Sequence, residues 1–369
     1  MQNYSNDPRA VMTLDAGGTN FVFSALQGNQ PVVASFALAS NADRLERSLE
    51  TMVEGFERVR GQLKTPPVAI SFAFPGPADY FNGVIVGPRN LPAYRDVALG
   101  AFLEERFSLP VFINNDGDLF AYGEAASGFL PFVNGLLEKA GSPKRFHNLL
   151  GITLGTGLGG GIVRDGELFT GDNSVAGEVW LLRHKLERDR NAEEGASIRA
   201  VRRVYAALTG VAFADAPEPK VVFEIAEGRA QGDQAAARQA FRQMGEVAGD
   251  AISEAITLLD AVVVIGGGIA GAHSQFLPAI VEEMNSTYNA PNGETFRRLI
   301  PRAFNLEDPA ELELFLRGEA KELKVPGSSR TVRFDGLQRT GVGISRLGTS
   351  EATAIGAYAF ALRKLDERG

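Results

Sequence analysis

The chain has 369 residues, with 37 basic against 45 acidic side chains, a net charge of −8 and no cysteine. That balance excludes the clustered basic surface that polyanion backbones need, so no nucleic-acid partner is expected. The lack of cysteine excludes disulfide scaffolds, Cys-ligated zinc, iron–sulfur clusters and thiol nucleophiles. Together with the absence of a run of about 18 apolar residues or an apolar leader, this makes a cytoplasmic protein with no membrane partner the expectation.

In chain order, the apolar runs Val11–Leu14, Phe21–Leu26 and Val32–Phe36 read as strands joined by short Gly- or Asn-bearing turns, an antiparallel meander. Asp43 to Lys64 places Leu45, Leu49, Met52, Phe56, Val59 and Leu63 on one helical face. Val68–Phe74 and Val111–Ile113 are further strands, and Ala98–Phe107 is helix-like, so meander and alternation together make an α/β domain. The pattern then restarts. Leu149–Leu154 and Ile162–Val163 flank glycines, Asp165-Gly166 signals a hairpin, and Thr13–Gly18 can be laid over Thr153–Leu158. Ala236 to Asp260 reads as a long amphipathic helix running into the strand Ala261–Ile265, and Thr349–Leu362 as a closing helix. Asn285–Thr340 is weakly periodic and gives no order.

Three glycine loops follow strands. Glycine lets backbone approach a polyanion closely, and the exposed N–H groups bind phosphate oxygens. Gly155-x-Gly157-x-x-Gly160 matches the dinucleotide fingerprint formally, but it opens a hairpin rather than a helix, which rules out a nicotinamide site; no P-loop string is present either. What remains is a nucleotide held by hairpin turns. Asp15 ends the first strand just before Gly17, Gly18, Thr19 and Asn20, where a carboxylate can hold Mg²⁺, mostly through water, while the loop donates to phosphates; the alternative is an Asp that satisfies turn amides. Thr156 and Gly157 are assigned to the γ-phosphate, and Gly266, Gly267 and Gly268 to the α-phosphate or ribose side.

Asn114-Asn115-Asp116 lies at the carboxyl end of a strand, where α/β sheets place ligands. A sugar hydroxyl is a poor nucleophile, and Asp116 is the candidate base that takes its proton; the competing reading makes Asp116 or Asp118 a helix cap. Asn90, Asn115, Glu178 and Glu193 form the polar inventory of a sugar pocket. Trp180 reads as core, the alternative being a ring that stacks on a pyranose face, and His147, His184 and His273 show no metal spacing and receive no role.

These segments resemble the ROK family (repressor, open reading frame, kinase). Asp15–Asn20 resembles its first phosphate motif and Leu154–Gly161 its second. Asn115-Asp116 with Gly123-Glu124 resembles the segment carrying its catalytic aspartate. Ala176-Gly177-Glu178 resembles the start of its sugar motif, Glu193 with Ala196-Ser197 the acidic sugar residue and following pair, and Ile265–Ile269 the adenosine motif. The resemblance implies two actin-like (ribonuclease H-like) α/β ATPase domains around a hinged cleft, residues 1–115 plus 350–369 and residues 116–349. It implies an ATP- and Mg²⁺-dependent monosaccharide kinase, on a hexose or N-acyl-hexosamine, and a homo-oligomer, dimer or tetramer. The alternatives are a catalytically silent sugar sensor and an actin-like ATPase. The family's His after the motif glutamate is replaced by Leu181, and its cysteine-rich loop by the charged stretch Arg183–Arg190, so structural zinc is not expected. The short stretch before Val11 is expected to leave no room for the helix-turn-helix of the family's repressors.

Overall fold

A strand in the middle of a covered sheet must be apolar on both faces. In the computed structural model, which describes residues 2–88 and 90–368, β1 (Ala10–Ala16) buries every residue except Asp15. Next to it β2 (Asn20–Gln27) alternates, and β3 (Gln30–Ala39) buries only Val33, so the meander ends at a solvated edge. The chain continues through α1 (Leu45–Gln62), β4 (Pro67–Ala73), the small ribbon β5 (Ala78–Asp79) and β6 (Val84–Ile85), α2 (Leu99–Phe107), β7 (Val111–Asn114) and α3 (Asp116–Ala126). Strands β4 and β7 add in parallel beyond β1, giving the order β3-β2-β1-β4-β7.

A second series repeats that order. After α4 (Phe129–Lys139) come β8 (Leu149–Leu154), β9 (Leu158–Arg164) and β10 (Glu167–Leu168). Helices α5 (Ile198–Thr209), α6 (Pro219–Ala226) and α7 (Gln234–Leu259) precede β11 (Val262–Gly266), and α8 (His273–Met284) follows it. Then come the ribbon β12 (Thr287–Asn289) and β13 (Thr295–Arg297), β14 (Arg302–Asn305) and α9 (Pro309–Arg317). The ribbon β15 (Ala320–Lys324) and β16 (Thr331–Asp335), β17 (Arg339–Ile344) and α10 (Thr349–Asp366) complete the chain. The sheet order is β10-β9-β8-β11-β17-β14: five strands reproduce the first sheet and β14 is added outside. The strands carrying Thr13–Gly18 and Thr153–Leu158 therefore hold equivalent positions. The Asp165-Gly166 hairpin forms with φ of 50° and 81°, the left-handed pair that a two-residue type I′ turn requires.

By their contacts the residues divide into two compact units, one of residues 1–128, 161–177 and 347–369 and one of residues 129–160 and 178–346. The weakly periodic stretch 285–340 contains two ribbons whose residues are almost all exposed, which explains why no apolar periodicity marks them. At the base of the second ribbon, Arg339 and Asp335 form a 2.8 Å ion pair with side chains 0% and 2% exposed. Burial pushes the Asp335 carboxyl up, but hydrogen bonds from Arg339 and two backbone N–H groups outweigh it and hold the pKa down at about 2. Among the described residues no helix is long and apolar enough to cross a membrane.

Candidate functional site

In the first unit, β1, β4 and β7 are parallel, and Asp15 pairs with Ala73, which pairs with Asn114. Asp15 and the segment Asn114–Asp116 therefore leave the sheet at one edge, the carboxyl end of the strands. The loop after Asp15 is closed by the Gly17 N–H donating to Asn20 O at 3.0 Å. Ser40 holds the loop's carbonyls: its N–H donates to Thr19 O at 3.0 Å and its hydroxyl to Gly18 O at 2.6 Å. With the carbonyls engaged, the N–H groups of Gly18 and Thr19 have no acceptor among the described residues. That is the polarity a phosphate oxygen needs. Asn90 covers this loop, its carbonyl only 3.1 Å from where a Gly18 Cβ would sit.

Asn115, not Asp116 or Asp118, caps α3: its Oδ1 accepts the Gly117 N–H at 2.8 Å. Asp118 lies inside the helix and is buried. Asp116 is the first helical residue, exposed, with Oδ1 also accepting from Gly117 at 2.9 Å. Asp116 neighbours Asp15. Desolvation first, and then the Asp116 charge, push the Asp15 carboxyl above its usual range. Neither carboxylate has a cationic partner among the described residues.

In the second unit, β8 and β11 are parallel with Gly266 opposite Thr153, which sets the loops after them side by side. Gly155 N–H donates to Gly157 O at 3.0 Å, and Thr156 and Gly157 keep their own N–H groups free among the described residues. Gly267 has φ of 93°, and a Cβ there would meet Leu154 O at 2.2 Å, so only glycine lets the two loops pack while Ile269 N–H reaches Leu154 O at 3.0 Å. Gly268 is exposed beside them.

Glu193 belongs to the second loop. Its Oε2 accepts the Leu158 N–H at 3.2 Å and lies 2.4 Å from where a Gly157 Cβ would be, while Oε1 accepts from Arg199 at 3.1 Å. Glu178 accepts from the Trp180 indole N–H, so Trp180 is half-exposed and not the core residue expected; the polar partner two residues away was the signal for it. The strand-like link of Leu182 O to Ala192 N–H at 2.7 Å brings the two glutamate-bearing segments together.

The charged stretch 183–190 is ordered by His184, a residue that carried no expected role. Buried His184 accepts the backbone N–H groups of Leu186 at 3.1 Å and Glu187 at 3.0 Å on Nδ1, and its backbone N–H donates to Arg190 O at 3.0 Å. Both contacts on Nδ1 require it unprotonated. Burial, assisted by Arg203 and Arg190 and opposed by Glu187, holds the imidazole below 6.5. Well above pH 6.5 the ring is neutral folded or unfolded. Below it the unfolded chain takes up a proton that the folded chain does not, so stability falls as pH drops toward the lower folded value. The melting temperature is expected to decline between pH 7.5 and 5.5, with a smaller slope in His184→Phe; equal slopes would count against this role.

The family model described as ROK family matches residues 11–310. An N-acetyl-D-glucosamine kinase of Vibrio cholerae is 31% identical over 169 residues, 46% of this chain, and the match spans 51% of that protein's length. The glucokinase of Thermotoga maritima is 27% identical over 285 residues, covering 71% of this chain and 83% of that one. Among solved structures, that of a glucokinase from Parabacteroides distasonis is 51% identical, covers 98% of this chain and 99% of that one, and superposes with a TM-score of 0.91. The fold is the family's actin-like, ribonuclease H-like α/β fold, and the cysteine-free stretch 183–190 stands where the family's zinc loop was expected. This chain belongs to the ROK family.

Proposed function

We propose that this protein transfers the γ-phosphoryl group of ATP to a hydroxyl of a monosaccharide, a hexose or N-acyl-hexosamine, with Asp116 as general base. The sugar-kinase class is supported by the family and by relatives named glucokinase and N-acetyl-D-glucosamine kinase. What carries the reading of the site is one observation: Asp15 and Asp116 lie at the same carboxyl edge of the first sheet, without a cationic partner among the described residues, beside a loop with unclaimed N–H groups. Two neighbouring carboxylates of that kind fit a divalent cation, and Asp15 is the residue that would hold Mg²⁺, through water. Bound there, Mg²⁺ supplies charge neutralisation on the phosphates.

The chain's own residues do the rest. Gly18 and Thr19 bind phosphate oxygens through their free N–H groups and Asn20 through its side chain, with Gly17 closing the turn; Thr156 and Gly157 bind through their own N–H groups, and Gly266, Gly267 and Gly268 form the loop beside them. Asp116 Oδ accepts the hydroxyl proton as the sugar oxygen bonds to phosphorus and the bond to the ADP oxygen breaks. Asn115 has Oδ1 committed to the cap, so its Nδ2 is the group left to orient the sugar. Asn90, Glu178 and Glu193 complete the sugar contacts, Glu193 linking them to the Gly157 loop. ADP release across glucose, fructose, mannose, allose, N-acetylglucosamine and N-acetylmannosamine tests this: one or more must stimulate turnover, and no stimulation by any overturns it.

A further inference from the structure

Away from the glycine loops, the second unit contains a cavity of about 480 Å³ with a mostly charged wall, formed by the 183–188 stretch, α7, the end of α8 and the first ribbon. Its inner charges are paired. Lys185 Nζ lies 2.6 Å from both Glu246 and Glu283, and Arg298 Nη2 lies 2.6 Å from Asp250 Oδ1. The Arg298 side chain is 8% exposed, and its Nε has no hydrogen-bond partner, with Glu283 Oε1 3.8 Å away.

Three wall groups are left over. Arg183 and Arg188 are exposed at the rim, and neither reaches a carboxylate within 4.0 Å among the described residues; Arg183 Nη1 donates to Arg188 O at 2.5 Å, so one short turn presents both. Glu254 is exposed on the cavity wall with no hydrogen-bond or ion-pair partner among the described residues; partial desolvation and then the Asp250 charge push its carboxyl up, opposed by Arg298 and Arg183. Guanidinium groups match phosphate geometry, whereas an underused carboxylate calls for hydroxyl donors. Inorganic phosphate would leave Glu254 unmatched, and a neutral polyol would leave the arginines unmatched. The volume lies within the ordinary range for small-ligand sites, about 300–1,000 Å³.

We propose that this cavity binds a phosphomonoester bearing several hydroxyl groups, the chemical class of a sugar phosphate, with its phosphate on Arg183 and Arg188 and a hydroxyl donating to Glu254. The site does not depend on the phosphotransferase reading. Calorimetric titration of the full chain with glucose 6-phosphate, glucose and inorganic phosphate tests it. Glucose 6-phosphate is expected to bind at least tenfold more tightly than the other two. The double variant Arg183→Gln/Arg188→Gln is expected to lose at least tenfold of that affinity while keeping its melting temperature and its ADP release. Glu254→Leu is expected to lower glucose 6-phosphate affinity toward that of inorganic phosphate. No binding to the wild type, or equal affinity in wild type and double variant, overturns the proposal; the latter places the ligand elsewhere, and neither result bears on ADP release.

Discussion

Replacing Asp116 by asparagine is expected to lower sugar-stimulated ADP release about 10²–10⁴-fold, the usual worth of a positioned general base, with ATP affinity changed little. The substitution isolates chemistry from folding for a local reason. The cap of α3 is supplied by Asn115 Oδ1, and an asparagine Oδ1 at 116 can still accept the Gly117 N–H that Asp116 now accepts. Asp116 is exposed, and its charge opposes ionisation of Asp15, so removing it relieves a repulsion and leaves no buried group unpaired. Steady-state kinetics with a thermal melt separate the two effects. A variant that keeps more than a tenth of wild-type turnover would move the base to another residue.

Gly356→Ala is expected to produce the largest loss of stability from the smallest change. Helices α3 and α10 cross at glycines: a Cβ on Gly356 would lie 1.9 Å from Leu119 O, and one on Gly123 1.9 Å from Ala352 O. Both obstacles are backbone, which cannot rotate aside as a side chain would. Alanine favours helix over glycine by about 1 kcal/mol, but overpacking costs about 1–3 kcal/mol even where side chains can yield, and here the helices themselves must part. The steric cost therefore wins. A melting temperature lower by several degrees is expected, at about 2–4 °C per kcal/mol, and because α3 carries Asp116, turnover should fall with it. An unchanged melting temperature would show that the crossing can widen freely.

The parts of this molecule legible in its sequence are those where local chemistry and tertiary position agree. Val11–Leu14 is apolar on both faces because β1 is central, and Gly17-Gly18 follows because the chain must turn sharply at the sheet's ligand edge. The repeat of that pattern at Thr153–Leu158 is matched by a second sheet whose first five strands run in the same order. Roles that depend on partners distant in sequence stayed hidden. Ser40, far from Gly18 along the chain, orients the first loop's carbonyls; His184 looked idle because its ligands are backbone N–H groups, which have no sequence signature. Likewise Asn115, Asp116 and Asp118 are all capable caps, and only the backbone at the end of β7 selects Asn115. The exposed ribbons within 285–340 lack a buried face, and so they lack the alternation by which strands are read.

Whether this site transfers phosphate to sugar rather than to water is decided most directly by following ATP, Mg²⁺ and a stimulating sugar with the purified protein by phosphorus NMR. Transfer predicts one sugar phosphomonoester resonance appearing for each ADP formed, and no ADP when the sugar is left out. Inorganic phosphate accumulating in place of the monoester, at a rate indifferent to sugar, would contradict it.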